Sequence, residues 1–173
     1  RWHISLSTWF RDYLYIPLGG SRGGTSMKIR NTFIIFIVSG FWHGANWTFI
    51  FWGGLNALYF LPLMLTNKNR VNTDVVAQGK YLPNFKELFQ MIITFLITLI
   101  AWVFFRANTV VHAFTYLKDM FSWSLFSVPE IFPNYIMYLV FGFLIVEWFG
   151  RHGEYAIEHI DNMKKPLRWS LYL

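Results

Sequence analysis

The chain of 173 residues contains no cysteine. That excludes a disulfide framework, a thiolate zinc site and a cysteine nucleophile, and it leaves the redox compartment unread. Charge is scarce as well. Asp, Glu, Lys and Arg together make up 14% of the chain, where a soluble domain carries about 25%. Acidic residues are the rarest, 9 against 15 Lys plus Arg, for a net charge of +6. No internal repeat and no low-complexity tract is present. What is abundant is apolar: 55% hydrophobic residues, with 19 Phe, 9 Trp and 9 Tyr. This composition excludes a disordered or collagen-like chain. One small core cannot hide so many large side chains, so a membrane-embedded chain with lipid as a partner is expected. The basic residues flank apolar runs, which fits the positive-inside bias rather than a nucleic-acid face.

Charge-free runs place the membrane segments. Residues 31–67 hold no Lys, Arg, Asp or Glu, and as helix they would reach ~55 Å. One crossing of the hydrocarbon core needs about 30 Å. The run is too long for one span, and Ser39-Gly40-Phe41-Trp42-His43-Gly44-Ala45-Asn46 carries a break in it. The spacing predicts a short half-helix over 31–42 and a fuller one over 47–65, with the break buried or lining a wet cavity. Residues 88–105 and 134–149 read as further spans, and Asn108 as the cap of a short helix through Met120. Trp2, Leu6, Trp9, Phe10, Tyr13 and Leu14 recur at helical spacing, which predicts an amphipathic interfacial helix over 1–18. The glycine-rich run 19–24 reads as a flexible connector. It has no P-loop ending, so it does not read as a phosphate cradle.

The fold class is therefore all-α: spanning helices, an interfacial helix and a broken or re-entrant pair. The whole of 1–173 reads as one membrane-embedded region, with 1–30 as interfacial helix and loop, 31–65 as the broken pair and two later spans. Lys and Arg counts put 1–30, 66–87 and the tail from 151 on the cytoplasmic side. The chain opens on Arg1 and closes on an apolar Leu-Tyr-Leu, so a piece of a longer membrane protein is expected.

His43 is the first candidate for chemistry. An ionisable residue inside an apolar run is costly and marks a site by default. Imidazole can accept and donate a proton near neutral pH. The plainer reading has His43 hydrogen-bonding a carbonyl to seal the break. His3 lies at the boundary of its helix faces, either a surface residue or a partner of the first. His112, His152 and His159 read as solvent-facing, and His152 with His159 and Glu158 offers too few converging ligands for a metal. Arg11, with Arg22, Lys28 and Arg30, is suited to an anionic donor or to lipid headgroups. No Ser, His and Asp fall in an order that suggests a triad, so direct His-assisted transfer is easier to support than an acyl-serine route.

Three stretches resemble the membrane-bound O-acyltransferase (MBOAT) family, in its bacterial alginate O-acetyltransferase branch. They are the run from Arg1-Trp2-His3 to Leu18-Gly19-Gly20, the run Ser39 to Trp47 continuing to Trp52-Gly53-Gly54-Leu55-Asn56, and Trp102-Val103-Phe104-Phe105-Arg106-Ala107. The resemblance implies a multi-spanning helical enzyme, part of a larger fold, in a bacterial inner membrane. It implies His43 of Trp42-His43-Gly44 as the catalytic residue, with His3 in the place of a second, upstream polar residue. It also implies an acyl thioester donor such as acetyl-CoA with no bound cofactor, a polysaccharide acceptor and extracytoplasmic partner proteins. On that view Trp42 contacts substrate, and Asn46 or Trp47 supplies a donor to the developing oxyanion. D-alanyl transfer to teichoic acid, a transporter segment and an assembly subunit are the alternatives.

Overall fold

A computed structural model gives the fold. It describes residues 3–67, 75–123 and 134–153, with residues 158, 165 and 169. The chain divides into two units, residues 2–127 and residues 128–173, the second including Arg1. Every element assigned among the described residues is helical. The first unit holds α1 (Ile4–Phe10), a π-helical turn (Arg11–Tyr15), α2 (Gly24–His43), α3 (Trp47–Leu65), α4 (Phe85–Arg106) and α5 (Val110–Met120). The second holds α6 (Asn134–Phe149).

The half-helix expected over 31–42 is in fact the second part of a 20-residue helix that starts at Gly24. Charge begins at Arg30, but Lys28 and Arg30 are good helix formers and no breaker separates them from Ser39. At ~1.5 Å per residue, α2 and α3 are both about 30 Å long, joined by only Gly44, Ala45 and Asn46. This is a tight antiparallel hairpin of two full helices. Its register is set by two glycines. A Cβ on Gly40 would collide with the carbonyl of Phe49, and a Cβ on Gly53 with the carbonyl of Phe36. Backbone therefore meets backbone at both crossings, the small-residue packing of membrane helices. The turn is not covered by this chain as expected, since Ala45, Asn46 and Trp47 are exposed.

The entry segment also departs from one continuous amphipathic helix. After α1 the backbone widens into the π-helical turn. The apolar stripe then splits. Phe10 is buried and Leu6 and Leu14 are half-buried, while Trp9 and Tyr13 face outward and stack at 5.4 Å. Trp2 lies outside the described residues. The glycine-rich run is held rather than loose. Asn31, fully buried in α2, donates its amide to the carbonyls of Leu18 and Gly20 at 3.1 and 2.9 Å. Arg30 adds a bond to Leu18 O at 3.2 Å.

Helix α4 opens with a capping box between Asn84 and Glu87, both bonds 2.8 Å. Thr109, one residue past the expected Asn108, caps α5 by accepting from His112 N at 3.1 Å. Both α3 and α4 are long and apolar enough to cross a membrane, and α6 is apolar but shorter. Phe89, Phe95 and Leu96 of α4 are more than half exposed, a surface suited to lipid or to further helices.

Candidate active site

His43 is the last residue of α2. Gly44 behind it has φ 157 and ψ 156, and a Cβ there would stand 2.7 Å from the Phe49 ring. Only glycine takes that conformation readily, so the chain turns away at once and leaves the imidazole on the helix end. Asn46 restarts the helix. Its side-chain oxygen accepts from Thr48 N at 3.1 Å, and its amide donates to Asn108 O at 3.2 Å, tying the turn to the α4–α5 junction.

The half-buried His43 ring lies in an aromatic box. Ring centroids of Trp42, Phe105 and Trp52 stand 5.0, 5.2 and 5.3 Å away, all edge to face, and Phe49 stands at 6.3 Å. Phe105 comes from the end of α4, and its ring also meets Phe49 and Trp52 at 4.9 and 5.2 Å. His3 completes the group at 6.0 Å from His43 and 6.3 Å from Trp42. It precedes α1 with φ 47, a left-handed conformation unusual for a residue with a Cβ. Residues from three distant stretches, around 3, 43 and 105, thus meet at one place.

The imidazole of His43 has no hydrogen-bond partner among the described residues. The break is closed by Gly44 N on Phe41 O at 3.1 Å, by Asn46 N on Gly44 O at 2.9 Å and by the Asn46 cap. The carbonyl-sealing role for His43 is therefore not what the structure gives, and neither ring nitrogen is engaged among the described residues. Aromatic rings packed around an imidazole also lower the local dielectric, which strengthens any hydrogen bond formed there.

Of the other sequence candidates, Trp42 is 58% exposed beside His43. Asn46 is committed at both ends of its amide to the turn, and Trp47 is 75% exposed, outside the box. Arg11 grips its neighbour Asp12 through two bonds of 2.7 and 3.2 Å, which hold the Asp12 carboxyl below its usual pKa. His112 and His152 are exposed as read, and His159 lies outside the described residues.

Arg11 also borders a cavity of about 870 Å³ between the entry segment and the hairpin. Arg11, Arg22 and Lys28 give one part of its wall positive charge, and Phe36, Phe60 and Met64 make another part apolar. The wall reaches Ser7 and Ser39, one helical turn from His3 and His43. Sequence reasoning missed the box residues Trp52 and Phe105 and the buried anchor Asn31. A polar Asn heading an apolar run was the one available signal.

An apolar helical hairpin that ends in an imidazole with no hydrogen-bond partner among the described residues, faced by a second histidine, defines a helical membrane protein with a histidine-centred site. The chain belongs to the MBOAT, membrane-bound O-acyltransferase, family, which it matches over residues 1–99. It is 37% identical over 155 residues to the Pseudomonas aeruginosa protein named "Probable alginate O-acetylase AlgI", covering 87% of this chain and 28% of that one. It is 40% identical over 120 residues to the peptidoglycan O-acetyltransferase of Helicobacter pylori, 69% of this chain and 21% of that one. With the teichoic acid D-alanyltransferase of Streptococcus thermophilus it shares 32% over 117 residues, 61% of this chain and 28% of that one. The chain therefore spans less than a third of the length of these relatives. No solved structure matches it.

Proposed function

We propose that this chain carries the catalytic histidine of a membrane O-acetyltransferase that moves an acetyl group from a thioester donor to hydroxyls of an exported polysaccharide. The observation that carries it is His43: an imidazole without a partner among the described residues, in an aromatic box, 6.0 Å from His3. As general base, His43 takes the proton of the attacking hydroxyl. His3 orients or relays from beside it, and Trp42 meets the substrate from the exposed side. The positively charged wall of the large cavity suits the phosphates of acetyl-CoA, with Arg11 among the contacts. Relatives named for O-acetylation cover more of this chain than the D-alanyltransferase does, which favours acetyl over D-alanyl. Placement in a bacterial inner membrane with several spans, lipid around α4 and α6, and extracytoplasmic partner proteins belong to the same reading.

The test is His43→Ala in the protein expressed in its own membranes. A positioned base contributes about 10²–10⁴ in rate, so polymer acetylation falls to near background while the protein level in the membrane holds. His3→Ala loses less. A polymer that stays fully acetylated with His43→Ala at normal levels removes His43 from the chemistry.

A further inference from the structure

The transfer needs a donor for the oxygen that becomes negative, and both sequence candidates are engaged elsewhere: Asn46 is held in the turn by its bonds to Thr48 and Asn108, and Trp47 is 75% exposed. Two buried polar side-chain atoms on α3 have no hydrogen-bond partner among the described residues: Thr48 Oγ1 and Trp52 Nε1, the latter on a ring 5.3 Å from the His43 imidazole. Positions 48 and 52 are one turn apart, on the same helix face.

Each orphan has a local cause. Thr8, Thr32, Thr94, Thr98 and Thr115 return their hydroxyls to the carbonyl four residues back, at 2.7–3.1 Å. Four residues behind Thr48 lies Gly44, in the break, where no helical carbonyl is offered. Trp52 stands with its ring at 89° to the His43 imidazole and at 68° to Phe105, and neither neighbour accepts from its N–H. A buried N–H left unmatched is costly, so native chains keep one where something else will meet it.

We propose that Trp52 donates its indole N–H to the carbonyl oxygen of the acyl group as transfer proceeds, with the Thr48 hydroxyl as a second donor. This rests on the reading of His43 as the base. The acceptor hydroxyl oxygen forms a bond to the thioester carbonyl carbon while His43 takes its proton. The carbonyl π pair moves onto oxygen, where the N–H of Trp52 stabilises the charge. That pair then returns, the carbon–sulfur bond breaks, and the leaving thiolate takes the proton back from His43. The products are one ester and one free thiol.

The experiment measures the initial rate of acetyl incorporation into the exported polymer, per unit of protein in the membrane, for four variants of the natural protein. Trp52→Phe removes the N–H and part of the ring. Benzothienylalanine at position 52 keeps the indole's size and replaces N–H by sulfur. Thr48→Val removes one hydroxyl, and His43→Ala reports on the base. Losing one oxyanion donor costs about 10²–10³ in rate, so both Trp52 variants fall that far at unchanged membrane level. Thr48→Val falls roughly tenfold, the size of one neutral hydrogen bond. A benzothienylalanine variant that works within about threefold of the natural protein overturns the proposal, because the ring's shape would then suffice. If His43→Ala remains active, the reading of the whole site fails. If it is dead while both Trp52 variants are fast, only the donor role fails.

Discussion

Two regions of this chain are rich in glycine and use it for different reasons. In the run 19–24 the need is conformational: Gly20 turns the backbone at φ 58, and buried Asn31 then holds the turn. In the hairpin the need is steric. Gly40 and Gly53 lie inside regular helices and matter because a Cβ at either would strike the facing backbone. The lesson is about driving force. In lipid, apolar side chains gain little by leaving one apolar surroundings for another, so helices associate where backbones approach closely. The loop has no such option and is fixed by hydrogen bonds instead.

The largest effect should come from filling the hairpin crossing. Gly53→Ala or Gly40→Ala forces the two helices apart, an overpacking cost of ~3 kcal/mol. The purified protein in detergent should melt at clearly lower temperature and accumulate poorly. Next comes Asn31→Ala, which strands the carbonyl of Gly20 and leaves that of Leu18 to Arg30 alone, at about 1–3 kcal/mol. Here we expect reduced stability together with faster proteolysis between residues 18 and 24. Asn46→Ala removes the α3 cap and the tie to Asn108, worth ~1 kcal/mol, visible as a small drop in melting temperature. Gly54→Ala is the sharpest control, one residue from Gly53. A Cβ there meets nothing within 4 Å, and alanine gains about 1 kcal/mol of helix propensity. Its melting temperature should hold or rise. If Gly53→Ala and Gly54→Ala behave alike, close backbone approach does not hold this hairpin together.

Much of the helical layout was legible in the residues. Charge-free runs mark α3 and α4, a run apolar apart from Glu147 marks α6, and the Gly44–Asn46 break lies within the stretch Ser39–Asn46 that the sequence points to. The full length of α2 is not legible from charge, because Lys28 and Arg30 do not interrupt backbone hydrogen bonding. The entry helix was drawn too regular because periodicity does not report a π-helical turn. His43 stood out at once, as a costly group in an apolar run. Trp52 and Phe105 did not, because among 37 aromatic residues, 19 Phe, 9 Trp and 9 Tyr, nothing local marks the few that face an imidazole.

The sequence by itself determined the class of molecule, the helices and the place of the break, because each follows from composition, from spacing along one segment or from a glycine at a turn. Only the tertiary structure decided that His3 meets His43 across 40 positions, that Phe105 closes the box, and that Thr48 and Trp52 are left with buried, unmatched polar atoms. Those relations depend on how far one helix slides along another. Here that register is set where the backbone at Gly40 touches Phe49 and the backbone at Gly53 touches Phe36, contacts that no single segment encodes.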